Sequence, residues 1–261
     1  MKIALRIASL AGAAAWIAVV GATGGAGGQD AGPPVPAVRA APTPYPARAD
    51  DWPGKGAIRV FEFMKHNRDF FWSERALKQG SIVFAGDSLT ASWKTLEADF
   101  PGAGVANRGI GGDVSRGLLF RFEEDVLALR PRAIVILIGT NDLTARQPAS
   151  DTLANLRAML AMRQAHPRLV PVVLCTVPPS ADPDATVDET QRLLLNQGLR
   201  QLADNSPRVW LVDLHAALST QQGLPDRRYF AADQLHLSAA GHARWKQALL
   251  PALRDAGAVA P

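Results

Sequence analysis

The sequence has very little cysteine: Cys175 is the only thiol in the 261 residues, so no internal disulfide can form. It lies within an apolar run, where a thiol usually serves as a small core side chain. Stability must therefore come from a packed core. The composition allows one, because 48% of the residues are hydrophobic and 20% are charged. This balance predicts a single globular domain.

A long hydrophobic segment is also missing. The N-terminal apolar stretch, residues 7–20, is shorter than the roughly 20 residues that span a bilayer. Lys2 and Arg6 precede it and small residues follow it, which is the order found in a secretory signal peptide. We therefore predict a signal peptide over residues 1–22 and a secreted or periplasmic protein with no stable membrane span after cleavage. Retention of this segment as an uncleaved anchor is the alternative.

The chain contains no extended run of basic residues. Its net charge is +4, but the basic residues are scattered and lie close to acidic ones, as in residues 121–125. Nucleic-acid-binding proteins cluster their basic residues on one surface, so we expect no nucleic acid partner. Residues 23–50 are rich in Gly, Ala and Pro and predict a flexible linker. The folded domain is predicted over residues 51–256.

Within that domain, short apolar runs alternate with amphipathic segments. Strands are predicted at residues 81–85, 105–106, 133–138, 169–177 and 209–212. Helices are predicted at residues 58–79, 115–129, 151–166, 190–205 and 238–253, the last capped by Ser238. This alternation favours an α/β fold in which helices cover both faces of a parallel sheet. We expect a three-layer α/β/α sandwich with about five strands.

Polar residues follow the predicted strands, where α/β proteins place their ligands. Acyl transfer needs a hydroxyl nucleophile, a histidine base, a carboxylate that orients the histidine, and donors for the oxyanion. Ser88, His236 and Asp233 are candidates for the first three roles. The N–H groups of Ser88 and Gly112 and the side-chain amide of Asn141 are candidate oxyanion donors.

Four blocks in order resemble the GDSL/SGNH hydrolase superfamily. They are Gly-Asp-Ser-Leu at residues 86–89, a glycine block, Gly-Thr-Asn-Asp at residues 139–142, and Asp233 followed three positions later by His236. Residues 107–113 resemble the catalytic-subunit branch of platelet-activating-factor acetylhydrolases. The resemblance implies a flavodoxin-like sandwich and a Ser88–His236–Asp233 triad. It also implies that Gly112, rather than Gly111, is an oxyanion donor with Asn141.

The resemblance implies a serine esterase that cleaves short-chain, above all acetyl, esters of small molecules or glycans. No long lid-like insertion is visible, which favours short acyl chains. A lysophospholipase or thioesterase of the same fold is the alternative substrate class. The proposed chemistry needs no cofactor and no metal.

Other interpretations concern individual residues. One alternative is that Ser88 caps a helix and has no catalytic role. Another is that the protein is a non-catalytic carbohydrate-binding module with the same fold. A metal-dependent phosphoesterase would instead use Asp87, Asn141, Asp233 and His236 as ligands. Three carboxylates are predicted to hold loops rather than to react: Asp87, Asp113 and Asp142. Trp93 is predicted to belong to the core.

Overall fold

Five parallel strands form one sheet in residues 39–260, the part of the chain that the computed structural model describes. The predicted signal peptide and residues 23–38 of the predicted linker lie outside these residues. In space the strands run β2-β1-β3-β4-β5. Their bounds are β1 (Ile82–Gly86), β2 (Val105–Gly109), β3 (Ala133–Leu137), β4 (Val172–Cys175) and β5 (Val209–Val212). The predicted five-stranded parallel sheet is therefore confirmed.

Helices cover both faces of this sheet. Their bounds are α1 (Glu62–Glu74), α2 (Ser88–Ala91), α3 (Leu96–Asp99), α4 (Ser115–Asp125), α5 (Thr140–Thr144), α6 (Ala149–Gln164), α7 (Glu189–Asp204), α8 (Leu214–Ala217) and α9 (Ala239–Asp255). Ser238 caps α9 as predicted, since its hydroxyl accepts a hydrogen bond from Gly241 N. Among the described residues, no helix combines the length and the apolar character that crossing a bilayer requires.

Two apolar layers hold the helices to the sheet. Successive side chains of a strand point to opposite faces, so Val83 and Ala85 pack with α4, α6 and α7. Ile82 and Phe84 point the other way, toward Trp93, α8 and α9. The central strands are buried on both faces, which explains their continuous apolar sequences. The three-layer α/β/α sandwich is confirmed, and Trp93 belongs to its core.

The strand order places a switch point at the centre of the sheet. From β1 the chain moves outward to β2, then returns past β1 to β3. Ligands of open α/β sheets bind at such a point, outside the carboxyl ends of the strands. Ser88 follows β1 and Asn141 follows β3. The two candidate residues therefore lie at the switch point, one after each of the two strands that flank it.

Several predicted boundaries differ from the structure. Strand β2 extends to Gly109 because residues 107–109 remain paired with β1, although two of these residues are polar. The charge of Arg108 is accommodated by Glu74 and by the face of Phe71. Strand β4 is shorter than predicted, at Val172–Cys175. Helix α1 begins only at Glu62, because residues 58–60 are not helical and Phe61, whose backbone is extended, is its N-cap.

The predicted linker also reaches too far along the chain. From residue 39 onward its described part contacts the domain, and Thr43 N donates to Glu124 Oε2 over 2.9 Å. The ring of Tyr45 stacks on Trp52 at a centroid distance of 5.5 Å and packs against Phe120 at 5.4 Å. A segment poor in apolar residues can thus be anchored by two aromatic rings. The packed unit begins before residue 51.

Candidate active site

Ser88 lies at a sharp turn from the central strand into a short helix. Strand β1 ends at Gly86, and Ser88 is the first residue of α2. Asp87 caps that helix, because its Oδ1 accepts a hydrogen bond of 2.9 Å from Leu89 N. The turn passes so close to β2 that a Cβ on Gly109 would lie 2.3 Å from Ala91 N. The result is a half-buried Ser88 at the carboxyl edge of the sheet.

His236 and Asp233 reach Ser88 from the loop before α9. The Ser88 Oγ atom lies 2.9 Å from His236 Nε2, across 148 positions of sequence. On the other side of the imidazole, Nδ1 lies 2.6 Å from Asp233 Oδ2. The loop is held by an isolated antiparallel bridge between Phe230 and Leu237. The three side chains selected from the sequence therefore form one continuous chain of hydrogen bonds.

The electrostatics of Asp233 determine the tautomer of the histidine. Partial burial alone would raise the pKa of Asp233, but hydrogen bonds from His236 and from the Leu235 and His236 N–H groups outweigh burial and lower it. An ionised carboxylate only accepts hydrogen bonds, so His236 Nδ1 must donate the proton between them. Nε2 of the neutral ring is then an acceptor facing the Ser88 hydroxyl. This arrangement suits a general base.

No other histidine contacts Ser88 within residues 39–260. His242 is buried in α9 and stacks on Trp93 at a centroid distance of 5.1 Å. His166 contacts Glu123 near the end of α6. His236 is thus the histidine that the fold brings to the serine.

Asn141 and Gly112 lie beside each other next to the serine turn. Asn141 Nδ2 donates a 3.0 Å hydrogen bond to the carbonyl oxygen of Asp113, the residue after Gly112. Gly112 has a φ of +74°, which a residue with a side chain rarely adopts. Ile110 N donates to Gly86 O over 3.0 Å, which ties this loop to the end of β1. The structure therefore brings both candidate donors to the strand end that carries Ser88.

Three carboxylates lie buried around the turns that carry these groups. Asp142 accepts hydrogen bonds from Ser115 N and from the hydroxyl of Ser115. Arg121 Nε donates to Asp113 over 2.8 Å, and its Nη2 donates to Gly86 O over 3.1 Å. Burial raises the pKa of Asp87 to about 7 and that of Asp113 to about 6. Asp87 and Asp142 accept hydrogen bonds from the first turns of α2 and α4, and Asp113 accepts from Arg121 within α4, so all three tie the turns at this sheet edge to neighbouring helices.

Three residues near the site were not predicted from the sequence. Arg59 donates to Asn141 Oδ1 over 3.2 Å. The rings of Phe61 and Phe63 stack at 5.6 Å, and each residue is 49% exposed. A Cβ on Gly112 would lie 3.4 Å from Phe61 Cε2. Only a weak sequence signal could have indicated these residues. Phe63 does not lie on the face of α1 that carries the buried Met64 and Phe71, so its ring is an apolar side chain outside the core.

In the described part of the chain, no group of three or more His, Cys, Asp or Glu side chains is arranged to hold a metal ion. The carboxylate of Asp87 is fully buried, and that of Asp233 is turned to His236. The hydrogen-bonded groups at this sheet edge are a hydroxyl, an imidazole and a carboxylate in sequence. They can support proton removal from Ser88 as the hydroxyl attacks an electrophilic carbon.

A parallel α/β/α sandwich with these groups at its carboxyl edge defines a class of hydrolases. The profile of the GDSL-like lipase/acylhydrolase family matches residues 83–244, which is more than half of the chain. The chain belongs to this family, as the sequence resemblance predicts.

Individual relatives agree with this assignment. Platelet-activating factor acetylhydrolase IB subunit alpha1 of Pongo abelii is 28% identical over 68% of this chain and 76% of its own length. A GDSL-like lipase from Bacteroides thetaiotaomicron is 26% identical, covers 75% of this chain and 100% of its own, and superposes with a TM-score of 0.63. An acetylxylan esterase from Geobacillus stearothermophilus, solved as a catalytic mutant, is 26% identical over 70% of this chain and 99% of its own, with a TM-score of 0.51.

Proposed function

We propose that the protein is an exported serine esterase that hydrolyses short-chain carboxylic esters, above all acetyl esters, through an acyl-enzyme. The observation that carries this proposal is the 2.9 Å contact between Ser88 Oγ and His236 Nε2, together with the 2.6 Å contact between His236 Nδ1 and Asp233 Oδ2. A serine that serves only as a helix cap has no need of an imidazole at its hydroxyl.

In the proposed reaction, Ser88 Oγ attacks the ester carbonyl while its proton passes to His236 Nε2. Asp233 stabilises the imidazolium that forms. The oxyanion accepts hydrogen bonds from Ser88 N, Gly112 N and the Asn141 amide. As the tetrahedral intermediate collapses, the bond to the alcohol oxygen breaks and His236 returns its proton to that oxygen. Water, deprotonated by His236, then attacks the acyl-enzyme carbonyl. As this second intermediate collapses, the bond to Ser88 Oγ breaks, His236 returns the proton to that oxygen, and the carboxylic acid is released.

The preference for acetyl esters is supported by the named relatives. One is an acetylhydrolase and another is an acetylxylan esterase, and both align over most of their own length. Export is supported by the N-terminal order of charged, apolar and small residues. The expected substrate is therefore a small-molecule or glycan ester met outside the cytoplasm. N-terminal sequencing of the exported protein tests the export: a mature chain beginning near residue 23 is expected, and an intact N-terminus contradicts cleavage.

The decisive experiment compares the wild type with Ser88→Ala on p-nitrophenyl esters of increasing acyl length. We expect turnover to be highest for acetate and to disappear in Ser88→Ala, whereas Ser92→Ala, on the next turn of the chain, stays active. Full activity of Ser88→Ala would overturn the serine mechanism. A wild type without turnover on these esters or on p-nitrophenyl phosphate would indicate a non-catalytic binding protein, and chelator-sensitive hydrolysis of p-nitrophenyl phosphate would favour the metal-dependent phosphoesterase.

The same assay distinguishes the substrate classes within the fold. A lysophospholipid and an acyl thioester are tested beside acetylated xylo-oligosaccharides at matched concentration. Higher kcat/KM for the acetylated glycan or for a small acetyl ester supports the proposal. A preference of tenfold or more for the lysophospholipid or the thioester would replace the acetyl ester with that substrate.

A further inference from the structure

We propose that Arg59 is a positioning residue, which fixes the Asn141 amide so that its free N–H points to the oxyanion. This inference rests on the proposed function, because Asn141 matters as a donor only if an oxyanion forms. Arg59 precedes the region that the family profile matches, residues 83–244. The segment before the family domain would therefore supply part of the catalytic environment.

The contacts of Arg59 are directed at one short helix. Its Nη1 donates to Asn141 Oδ1 over 3.2 Å, and its Nη2 donates to Thr144 Oγ1 over 3.3 Å. The Thr144 hydroxyl donates in turn to the backbone oxygen of Asn141 over 3.0 Å. Arg59, Asn141 and Thr144 thus form a closed set of hydrogen bonds at α5.

These contacts determine which way the amide faces. Asn141 Nδ2 donates one hydrogen to Asp113 O over 3.0 Å, and its Oδ1 accepts from Arg59. In the flipped amide, the NH₂ group would face the N–H donors of Arg59, and the oxygen would face the carbonyl of Asp113. Both of those pairs repel. The observed orientation leaves one Nδ2 hydrogen available for an oxyanion, and Arg59 opposes the flip from one side.

The charge of Arg59 adds to this effect. Among the described residues, the guanidinium of Arg59 forms no ion pair with a carboxylate, and the residue is half-buried. A cation on the amide oxygen polarises the amide and makes its N–H a stronger donor. Arg59 therefore acts on the oxyanion through Asn141 rather than by touching the substrate.

The backbone around Arg59 is held in place on both sides. Ala57 N donates to Gln147 Oε1 over 2.7 Å, and the side chain of Met64 is fully buried. Arg116 donates to the carbonyl oxygens of Gly56 and Pro53 at 3.1 and 2.9 Å. Because this segment is anchored, the guanidinium of Arg59 has a fixed position and can hold the Asn141 amide in one orientation.

A double-mutant cycle on the full chain tests this inference with p-nitrophenyl acetate. Arg59→Ala is expected to lower kcat about tenfold with KM nearly unchanged, less than the roughly 100-fold or greater loss expected for Asn141→Ala. In the Asn141→Ala background, Arg59→Ala is expected to cost no further activity, because its effect passes through Asn141. Arg59→Lys, which keeps the charge, is expected to recover part of kcat.

Arg146→Ala is the matched control. Arg146 is exposed, lies two residues after Thr144 and donates to Thr186 rather than to Asn141. Its loss removes one nearby positive charge, and kcat should stay within about twofold. Thermal unfolding of every variant separates an effect on folding from an effect on kcat. If Arg59→Ala does not fold, Arg59→Gln and Arg59→Lys take its place in the cycle.

Two outcomes would overturn the inference. One is that Arg59→Ala lowers kcat equally in the wild-type and Asn141→Ala backgrounds. The other is that Arg59→Ala has the kcat of the wild type. If Ser88→Ala is inactive at the same time, the proposed esterase function stands and only the role of Arg59 falls. Full activity of Ser88→Ala would instead remove the proposed function itself.

Discussion

Asp233 holds His236 by both of its carboxylate oxygens. Oδ2 lies 2.6 Å from the ring Nδ1, and Oδ1 accepts from the backbone N–H groups of Leu235 and His236, each over 3.0 Å. The first contact fixes the tautomer of the ring, and the second fixes the loop that carries it. A substitution at Asp233 that keeps an oxygen for the backbone N–H groups can therefore separate its effect on the histidine tautomer from its role in holding the loop.

Asp233→Asn keeps the shape of the side chain and removes its charge. We expect a loss of kcat on the order of 10²–10⁴-fold, since an amide NH₂ facing Nδ1 favours the tautomer whose Nε2 carries the proton. That Nε2 would face the Ser88 hydroxyl as a donor and could not accept its proton. The measurement is kcat on p-nitrophenyl acetate, with circular dichroism to confirm the fold. Asp204→Asn, an exposed substitution at the end of α7, should leave kcat unchanged, and an equally active Asp233→Asn would contradict the assigned role.

Asp87 should make stability depend on pH rather than take part in the reaction. Burial, with Asp113 and Asp142 nearby, raises the pKa of Asp87 from 3.8 to about 7. The folded protein therefore holds this proton more tightly than the unfolded chain does. The stabilisation is fully present below the unfolded pKa and is lost as the pH rises through the folded pKa.

Asp87→Asn removes this dependence while its amide oxygen still accepts from Leu89 N. Between about pH 4 and about pH 7, the free energy of unfolding of the variant should rise relative to the wild type, by a few kcal/mol at most. Urea unfolding across that range measures the difference, with the exposed Asp69→Asn as control. A difference that stays constant with pH would contradict this account. A large loss of kcat would show that Asp87 does more than cap α2.

Phe61 and Phe63 should contribute to substrate binding more than to turnover. Their stacked rings lie beside the Gly111–Gly112 turn and are half exposed. Truncation of either ring to alanine removes about 1 kcal/mol of apolar contact. We expect KM for an aryl ester to rise by about threefold to tenfold with little change in kcat. Leu193→Ala, an equally exposed change on α7, is the control, and an unchanged KM in both phenylalanine variants would exclude this surface from binding.

The sheet and the serine neighbourhood could be predicted because their signals are local in sequence. The apolar run that ends at Gly-Asp-Ser predicts both a buried strand and the edge at which Ser88 emerges. Arg59 could not be predicted, because its partner Asn141 lies 82 positions away and no local pattern links them. The prediction of a linker is wrong for residues 39–50 for a similar reason. Their anchoring depends on Tyr45 meeting Trp52 and Phe120, which composition does not show.

The two adjacent glycines at the candidate oxyanion hole should respond differently to the same substitution. Gly112 has a φ of +74°, and an alanine there would be strained by about 1–2 kcal/mol. Gly111 is not in the left-handed region, and a Cβ on it would meet only Phe63 Cε2 at 3.8 Å. Relief of the strain at residue 112 would rotate its N–H away from the direction that an oxyanion needs.

We therefore expect Gly112→Ala to lower kcat by about tenfold or more and to lower the urea midpoint. Gly111→Ala should keep kcat within about twofold and leave the midpoint nearly unchanged, since ordinary contact distances cost little. Steady-state kinetics on p-nitrophenyl acetate and urea unfolding of both variants measure the difference. The reverse order of effects on kcat would assign the donor to Gly111. Equal losses in both variants would show that the conformation of the whole turn, rather than one N–H group, determines turnover.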